Sequence, residues 1–327
     1  MAALPEQPRA PLPTPLVELR DVYPGYLDSV LAEESADWLG ELDWNFEPAA
    51  NLVRRFIGMR ALTGFALPSP NRTQAVGYCY YVADDGKGLI GGLYVSPAYR
   101  TPENENALIT AALDAMWKTP GIRRIEAQLM MLESPLQRAV PHSGKFRPHA
   151  RKFLEISLKQ IVTLAPRDPA VAIAPWAESR QSDAARLIAA AYAGHIDSQI
   201  NDQYRSPGGA RRFLMNIVEY PGCGSFFTPA SFVAFAGTGP GVLRPGLCGM
   251  SLASIVSPGI GHITQVCVAP SHLGTGLGYE LLRRSLVSLA AEGCHKVSLT
   301  VTSANGAAAR LYQRMGFVNR RDFAAYV

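Results

Sequence analysis

Apolar positions recur along this chain of 327 residues with two periods, and the periods alternate. The pattern is sharpest from Gly261 to Phe317. His262 to Val268 is apolar-rich and strand-like up to Ala269-Pro270, and the run Gly274-Thr275-Gly276-Leu277-Gly278 then turns the chain. Leu277, Leu281, Leu282, Leu286, Leu289 and Ala290 fall at helical spacing, Lys296 to Val301 alternates as a strand, and Asn305 to Met315 predicts a helix stopped by Gly316. The same spacing predicts helices over 26–39, 51–59, 103–117, 181–192 and 210–218. Strands are expected at 16–19, 75–82, 88–95, 125–131, 171–174, 231–235 and 247–255.

The order of elements repeats. Superposing Val95 on Val268 brings Ser96-Pro97 onto Ala269-Pro270 and places Thr101-Pro102-Glu103-Asn104-Glu105 on the glycine run. The first copy therefore offers a proline without an N–H and two glutamates where the second offers glycines. With the frame slid by a single position, Glu133 and Val140 stand where the second copy has Asn305 and Tyr312. Residues 1–15 carry five prolines and predict an extended, disordered lead-in. The turn-rich Ala165-Pro166-Arg167-Asp168-Pro169 marks a boundary, so domains are expected at 16–164 and 165–327.

Composition removes several classes. A hydrophobic content of 48%, 18% charged residues and a net charge of +4 describe a globular chain with no basic run for nucleic acid. Five scattered cysteines, never spaced C-x-x-C, predict reduced thiols and no metal site. No apolar run reaches the roughly 18 residues of a membrane span, no signal-peptide pattern opens the chain, and a cytoplasmic location is expected.

Glycines on alternate residues at a helix start let backbone N–H groups approach a pyrophosphate. The spacing G-x-G-x-G is one short of the dinucleotide fingerprint, and the next strand ends without an acidic residue. Beyond that strand stands Asn305-x-x-Ala308-x-x-Leu311-Tyr312-x-x-x-Gly316-Phe317. Together, the two halves of 261–319 resemble the acyl-CoA site of the GNAT (GCN5-related N-acetyltransferase) superfamily. The resemblance implies two tandem α/β (α+β) domains, each a mixed, mostly antiparallel sheet flanked by helices, with a degenerate first copy. It implies acetyl-CoA as cosubstrate and a small-molecule or peptide amine as acceptor, with monomer and homodimer both open.

Residue by residue, the resemblance implies that Gly274, Thr275, Gly276, Leu277 and Gly278 cradle the pyrophosphate. Cys267 and Val268 would pair with the pantetheine arm, Asn305 would bond it, and Tyr312 would protonate the departing thiolate. One departure stands at Leu273, where the family turn usually opens with Arg or Gln. His262, six before Val268, is the candidate base. The polar segment holding His195, Asp197, Asp202, Tyr204 and Arg205 is the candidate acceptor site. Direct transfer is expected over a Cys267 acyl-enzyme, because no base partner is placed beside that thiol. A non-catalytic acyl-CoA sensor or scaffold is the alternative reading.

Overall fold

A computed structural model describes residues 15–84, 86–220, 222–237 and 246–327, so most of the expected lead-in lies outside the described residues. The chain divides into two compact units. The first holds residues up to 40, Phe46–Ala150 and Phe323–Val327, and the second holds Glu41–Asn45 and Arg151–Asp322.

The first unit contains β1 (Val17–Glu18), α1 (Asp28–Leu42), α2 (Glu47–Gly58), β2 (Thr63–Pro68), β3 (Ala75–Asp84), β4 (Lys87–Val95), α3 (Pro102–Lys118) and β5 (Arg124–Leu129). Its strands pair in that order, antiparallel except for the parallel β4–β5 pair. Thr101 starts α3 by accepting the Asn104 N–H at 3.2 Å, with Pro102 in the first turn where no N–H is needed. Leu108, Ile109, Ala112, Leu113 and Met116 then face the core at helical spacing.

The second unit runs through β6 (Pro148–Ser157), β7 (Ala172–Pro175), α4 (Gln181–Ala191), α5 (Ile196–Ile200), α6 (Pro207–Glu219), β8 (Ser225–Phe226), β9 (Phe232–Ala236), β10 (Gly246–Ser257), β11 (Ile260–Val268), α7 (Leu277–Ala291), β12 (Lys296–Thr302) and α8 (Gly306–Met315). The sheet order is β7-β9-β10-β11-β12-β6, antiparallel except for the parallel β11–β12 pair, with β8 paired to β10. Successive strand residues point to opposite faces. Val233 therefore packs with α4 and α6, beside Met250, Leu252 and Cys267, while Ala234 packs with α7 through Leu277 and Leu281.

Two expectations are corrected here. The boundary does not fall at 164/165, because β6 pairs with β12 from Ser157↔Lys296 to Arg151↔Thr302 and buries Phe153, Leu154 and Ile156 in the second unit. The units are also not contiguous in sequence. The last strand, β13 (Val318–Tyr326), begins in the second unit, and its end pairs with β5 of the first, Ala324↔Leu129 to Tyr326↔Ala127. Strands β2, β6, β8 and β13 and the short α5 are not predicted by the hydrophobic pattern, which is obscured in them by charged or small residues.

Candidate active site

The register of β11 sets the geometry. Its parallel pairing with β12 runs only from Ile260↔Lys296 to Ile263↔Leu299. Beyond that point β11 stays with β10 as far as Val268↔Gly249, while β12 stays with β6 as far as Thr302↔Arg151. The two strands therefore splay, and β11 presents a free backbone edge. The Ala269 N–H donates to the Cys248 carbonyl at 2.8 Å, which fixes the phase of the ladder. Alternation then turns the Cys267 groups toward β10 and leaves those of Val266 and Val268 facing the opening. A cavity of about 730 Å³ lies against this edge, lined by Val266, Cys267, Val268, the glycine turn and α8.

The turn that closes the cavity needs its glycines. Gly274 has φ 79° and Gly276 has φ 85°, in the left-handed region that side chains avoid. Gly276 caps α7 without a side chain, so among the described residues no capping side chain takes up the first N–H groups of that helix, and the helix dipole adds positive potential there. Leu277 is in the cavity lining but 1% exposed, its side chain packing with Leu281, and Leu273 is 67% exposed at the cavity edge. Three arginines line the cavity that sequence reasoning missed: Arg167, Arg310 and Arg314. The last two lie four residues apart on α8, a spacing that places them on one helix face and so gave a usable signal. Arg167 had none, because it sits in the boundary segment.

Asn305, Ala308 and Leu311 recur at helical spacing on the cavity wall, with Tyr312 beside them. Asn305 caps α8, its Oδ1 accepting the Ala308 N–H at 3.1 Å, and lines the cavity as well. Gly316, at φ 97°, ends the helix, and the Phe317 N–H returns to the Tyr312 carbonyl at 3.0 Å. Tyr312 is 8% exposed, and its hydroxyl makes no hydrogen bond among the described residues. Burial, reinforced by the Asp197 carboxylate, pushes its ionisation well above the ordinary tyrosine range, so the phenol holds its proton.

The polar segment is sorted by the fold. His195 lines the cavity and caps α5, Nδ1 accepting the Asp197 N–H at 3.1 Å. Asp197 Oδ2 lies 3.4 Å from the same nitrogen, and its other oxygen accepts the Thr302 hydroxyl. Tyr204 stacks on Tyr192, with ring centroids 4.5 Å apart. Tyr192 lines the cavity, accepts from Gln265 Nε2 at 2.9 Å, and reaches the Val266 carbonyl at 3.4 Å. Arg205 donates to the Ser198 carbonyl at 2.7 Å, a helix-end contact. Of the five candidate acceptor residues only His195 lines the cavity; Asp197, Asp202, Tyr204 and Arg205 do not.

His262 is corrected as a candidate base. It is buried away from the cavity lining, its ring against Trp44 at 5.0 Å and Phe153 at 6.2 Å, and its Nδ1 lies 2.9 Å from the Ser298 hydroxyl. Burial, with nearby Arg151, pushes its ionisation down to about 3, so the imidazole stays neutral. Cys267 does line the cavity, but burial pushes its thiol up to about 12 despite a bond from Gln265.

The matching turn of the first unit is filled by its own side chains. Glu105, the counterpart of Gly278, is 1% exposed and paired with Arg138, which also donates to the Pro102 carbonyl at 2.8 Å and to Asn106 Oδ1 at 2.6 Å. Arg100 is taken up by Asp37 at 2.8 Å. Among the described residues, no group of His, Cys, Asp and Glu is placed to hold a metal ion, and no helix is long and apolar enough to cross a membrane.

Comparison with known proteins agrees with this geometry. Residues 203–317 match the acetyltransferase (GNAT) family. Short stretches resemble mycothiol acetyltransferases: 44% identity over 69 residues with that of Mycobacteroides abscessus, 21% of this chain and 23% of that protein. The match to the Thermobispora bispora protein is 45% over 58 residues, 18% of this chain and 20% of that protein. The chain thus aligns with only about a fifth of the length of these curated relatives. Two solved structures share the fold across nearly the whole chain. A GCN5-related N-acetyltransferase from Sphaerobacter thermophilus has a TM-score of 0.62 at 18% identity, covering 95% of this chain and 94% of its own. A tandem GNAT protein from the clavulanic acid biosynthesis pathway has a TM-score of 0.55 at 15% identity, covering 95% and 96%. Residues 203–317, within the second unit, thus match the acetyltransferase (GNAT) family, and the chain as a whole shares its fold with solved GNAT proteins.

Proposed function

We propose that the second unit is an N-acetyltransferase that moves an acetyl group from acetyl-CoA to a primary amine by direct attack in a ternary complex. The observation that carries this is the splay of β11 from β12, which opens a backbone edge ending at a glycine turn, with Tyr312 on the facing wall. The residues present fit a coenzyme carrying phosphates. Among the described residues no side chain caps the start of α7, and Arg167, Arg310 and Arg314 stand around the same cavity.

Acetyl-CoA supplies the activated acyl thioester. The outward-facing backbone groups of Val266 and Val268 would pair with its extended arm, the Val266 carbonyl giving up its 3.4 Å contact with the Tyr192 hydroxyl, and the Val268 N–H would polarise the reacting carbonyl. Asn305 orients the arm from the opposite wall. Tyr312, held protonated by its surroundings, would donate to the departing sulfur as the C–S bond breaks, and the proton that the amine nitrogen loses as the C–N bond forms would leave to solvent. His195, in the cavity lining edge-on to Tyr192 and steadied by Asp197, would contact the acceptor. A thiol held near 12 makes Cys267 a poor nucleophile at neutral pH, which favours direct transfer over an acyl-enzyme. In this reading the first unit is a degenerate copy that does not take the coenzyme, its turn being occupied by Glu105 and Arg138.

The test is thiol release from acetyl-CoA with a panel of amines, including the acceptor of the mycothiol acetyltransferases, beside the melting temperature with saturating acetyl-CoA. Release with at least one amine is expected, with a rise of several degrees in melting temperature. Stabilisation with no release from any amine would make the protein a sensor, and no stabilisation would sink both readings.

A further inference from the structure

The glycine turn of the second unit lacks a side-chain cation of its own, because Leu273 stands at its opening. The fold brings one from elsewhere. Two bonds fasten the segment between β6 and β7 onto the first turn of α7. The Tyr279 hydroxyl donates to the Ala165 carbonyl at 3.0 Å, and the Arg167 N–H donates to Glu280 Oε2 at 3.0 Å. Glu280 is only 1% exposed and is fixed by Arg283 at 2.8 Å and Arg284 at 2.9 Å. Although burial alone would raise its ionisation, these partners and the Arg167 N–H hold the carboxyl down at about 2, so the anchor stays charged.

With its backbone so fastened, the Arg167 side chain starts beside the cap of α7. Its guanidinium lies over the Tyr279 ring, 4.5 Å from the centroid. Its Cδ and Nη1 lie 3.3 and 3.5 Å from where a Cβ on Gly276 would stand. An arginine is thereby laid across the cap of α7, beside the uncapped N–H groups, while remaining solvent-accessible. A planar guanidinium at a helix N-terminus recognises a phosphate diester or anhydride by paired N–H donors.

We infer that Arg167, delivered by the segment preceding β7, grips the pyrophosphate of the coenzyme and takes the place of the cation missing at Leu273. This rests on the coenzyme-binding reading of the cavity. It also makes the boundary segment part of the ligand site, held there by Glu280.

Calorimetric titration of the full chain with CoA and with 3′-dephospho-CoA tests it, for wild type, Arg167→Ala and Arg167→Lys. Arg167 is exposed and its bond to Glu280 is from the backbone, so the ligand-free melting temperatures should differ little, by no more than the loss of the Tyr279 stacking. The expected result is a loss of affinity of about tenfold to a hundredfold in Arg167→Ala, the worth of a charge-assisted hydrogen bond. The loss should be equal for both ligands, with partial recovery in Arg167→Lys. Unchanged CoA affinity in Arg167→Ala, with normal wild-type binding, overturns the assignment and leaves the coenzyme site standing. A loss confined to CoA and absent for 3′-dephospho-CoA also overturns it, since the contact would then be to the 3′-phosphate. Failure of wild type to bind either ligand removes the coenzyme reading itself.

Discussion

At the scale of single residues, Tyr312 and His262 contrast two kinds of burial. Both are desolvated, but Tyr312 faces the cavity and His262 faces only core. Tyr312→Phe removes a hydroxyl that has no protein partner among the described residues, so stability should change little. Turnover should fall about 100-fold or more, the usual worth of a general acid, while acetyl-CoA affinity stays the same. A large affinity loss at normal turnover, measured by paired titration and kinetics, would make Tyr312 a packing residue. His262 predicts a stability effect instead. Its folded ionisation is depressed to about 3 from an ordinary value near 6.5, so the unfolded chain binds a proton that the native state refuses. Stability is therefore complete above 6.5 and lost as pH falls toward 3. The urea-unfolding gap between wild type and His262→Gln should narrow by about 2 kcal/mol from pH 7 to pH 5. A constant gap would mean that the histidine already titrates normally in the folded chain. The sequence could suggest a strand histidine but not whether its strand face was wet, because Trp44 and Phe153, which cover it, lie far upstream in the chain.

Among the elements, the most legible was the run from β11 to α8, because each of its signals is local. Positive-φ glycines mark the turn, Asn305 marks a helix start, and Gly316 marks a helix end. The splay itself was not legible in any one strand. It arises because β12 keeps its register with β6 while β11 keeps its register with β10, and β6 lies far upstream of β12 in the chain. Arg167 was invisible for the same reason, since only Glu280 and Tyr279 reveal where its segment docks. The turn can be tested on its own. Gly276→Glu places a side chain at φ 85°, against Arg167, and brings a negative charge to the cap of α7. Binding of acetyl-CoA should be abolished by strain, crowding and charge together, while thermal unfolding shows the fold retained. Survival of binding would place the cradle elsewhere.

For the whole molecule, the repeat was readable and its ending was not. The superposition that lays Val95 on Val268 also lays Lys87 on Ile260, and Arg124 falls one position from Lys296. The parallel pairs Lys87↔Arg124 and Ile260↔Lys296 thus correspond, so both units are built on one register. What periodicity missed is which strand completes each sheet. Beside β12 the second unit places β6, and beside β5 the first unit places the last residues of the chain. β13 opens as Val318-Asn319-Arg320-Arg321-Asp322, too charged to look like a strand, and only its end is apolar. That end is fully buried: Phe323, Ala324, Ala325 and Tyr326 are each 0% exposed. Tyr326 stacks on Phe146 with centroids 5.0 Å apart, and its hydroxyl donates to the Pro135 carbonyl at 3.1 Å. Tyr326→Ala should thus cost about 3–5 kcal/mol, as for other large aromatic truncations in a core. Removing residues 323–327 should leave the edge of β5 unpaired and the first unit unable to fold. Hydrogen exchange locates the effect. In Tyr326→Ala, amides of β3, β4 and β5 should lose protection before those of β10 and β11. Equal loss in both sets would mean that the two units unfold as one cooperative body, and no loss in β5 would mean that the C-terminal residues only cover an already stable sheet.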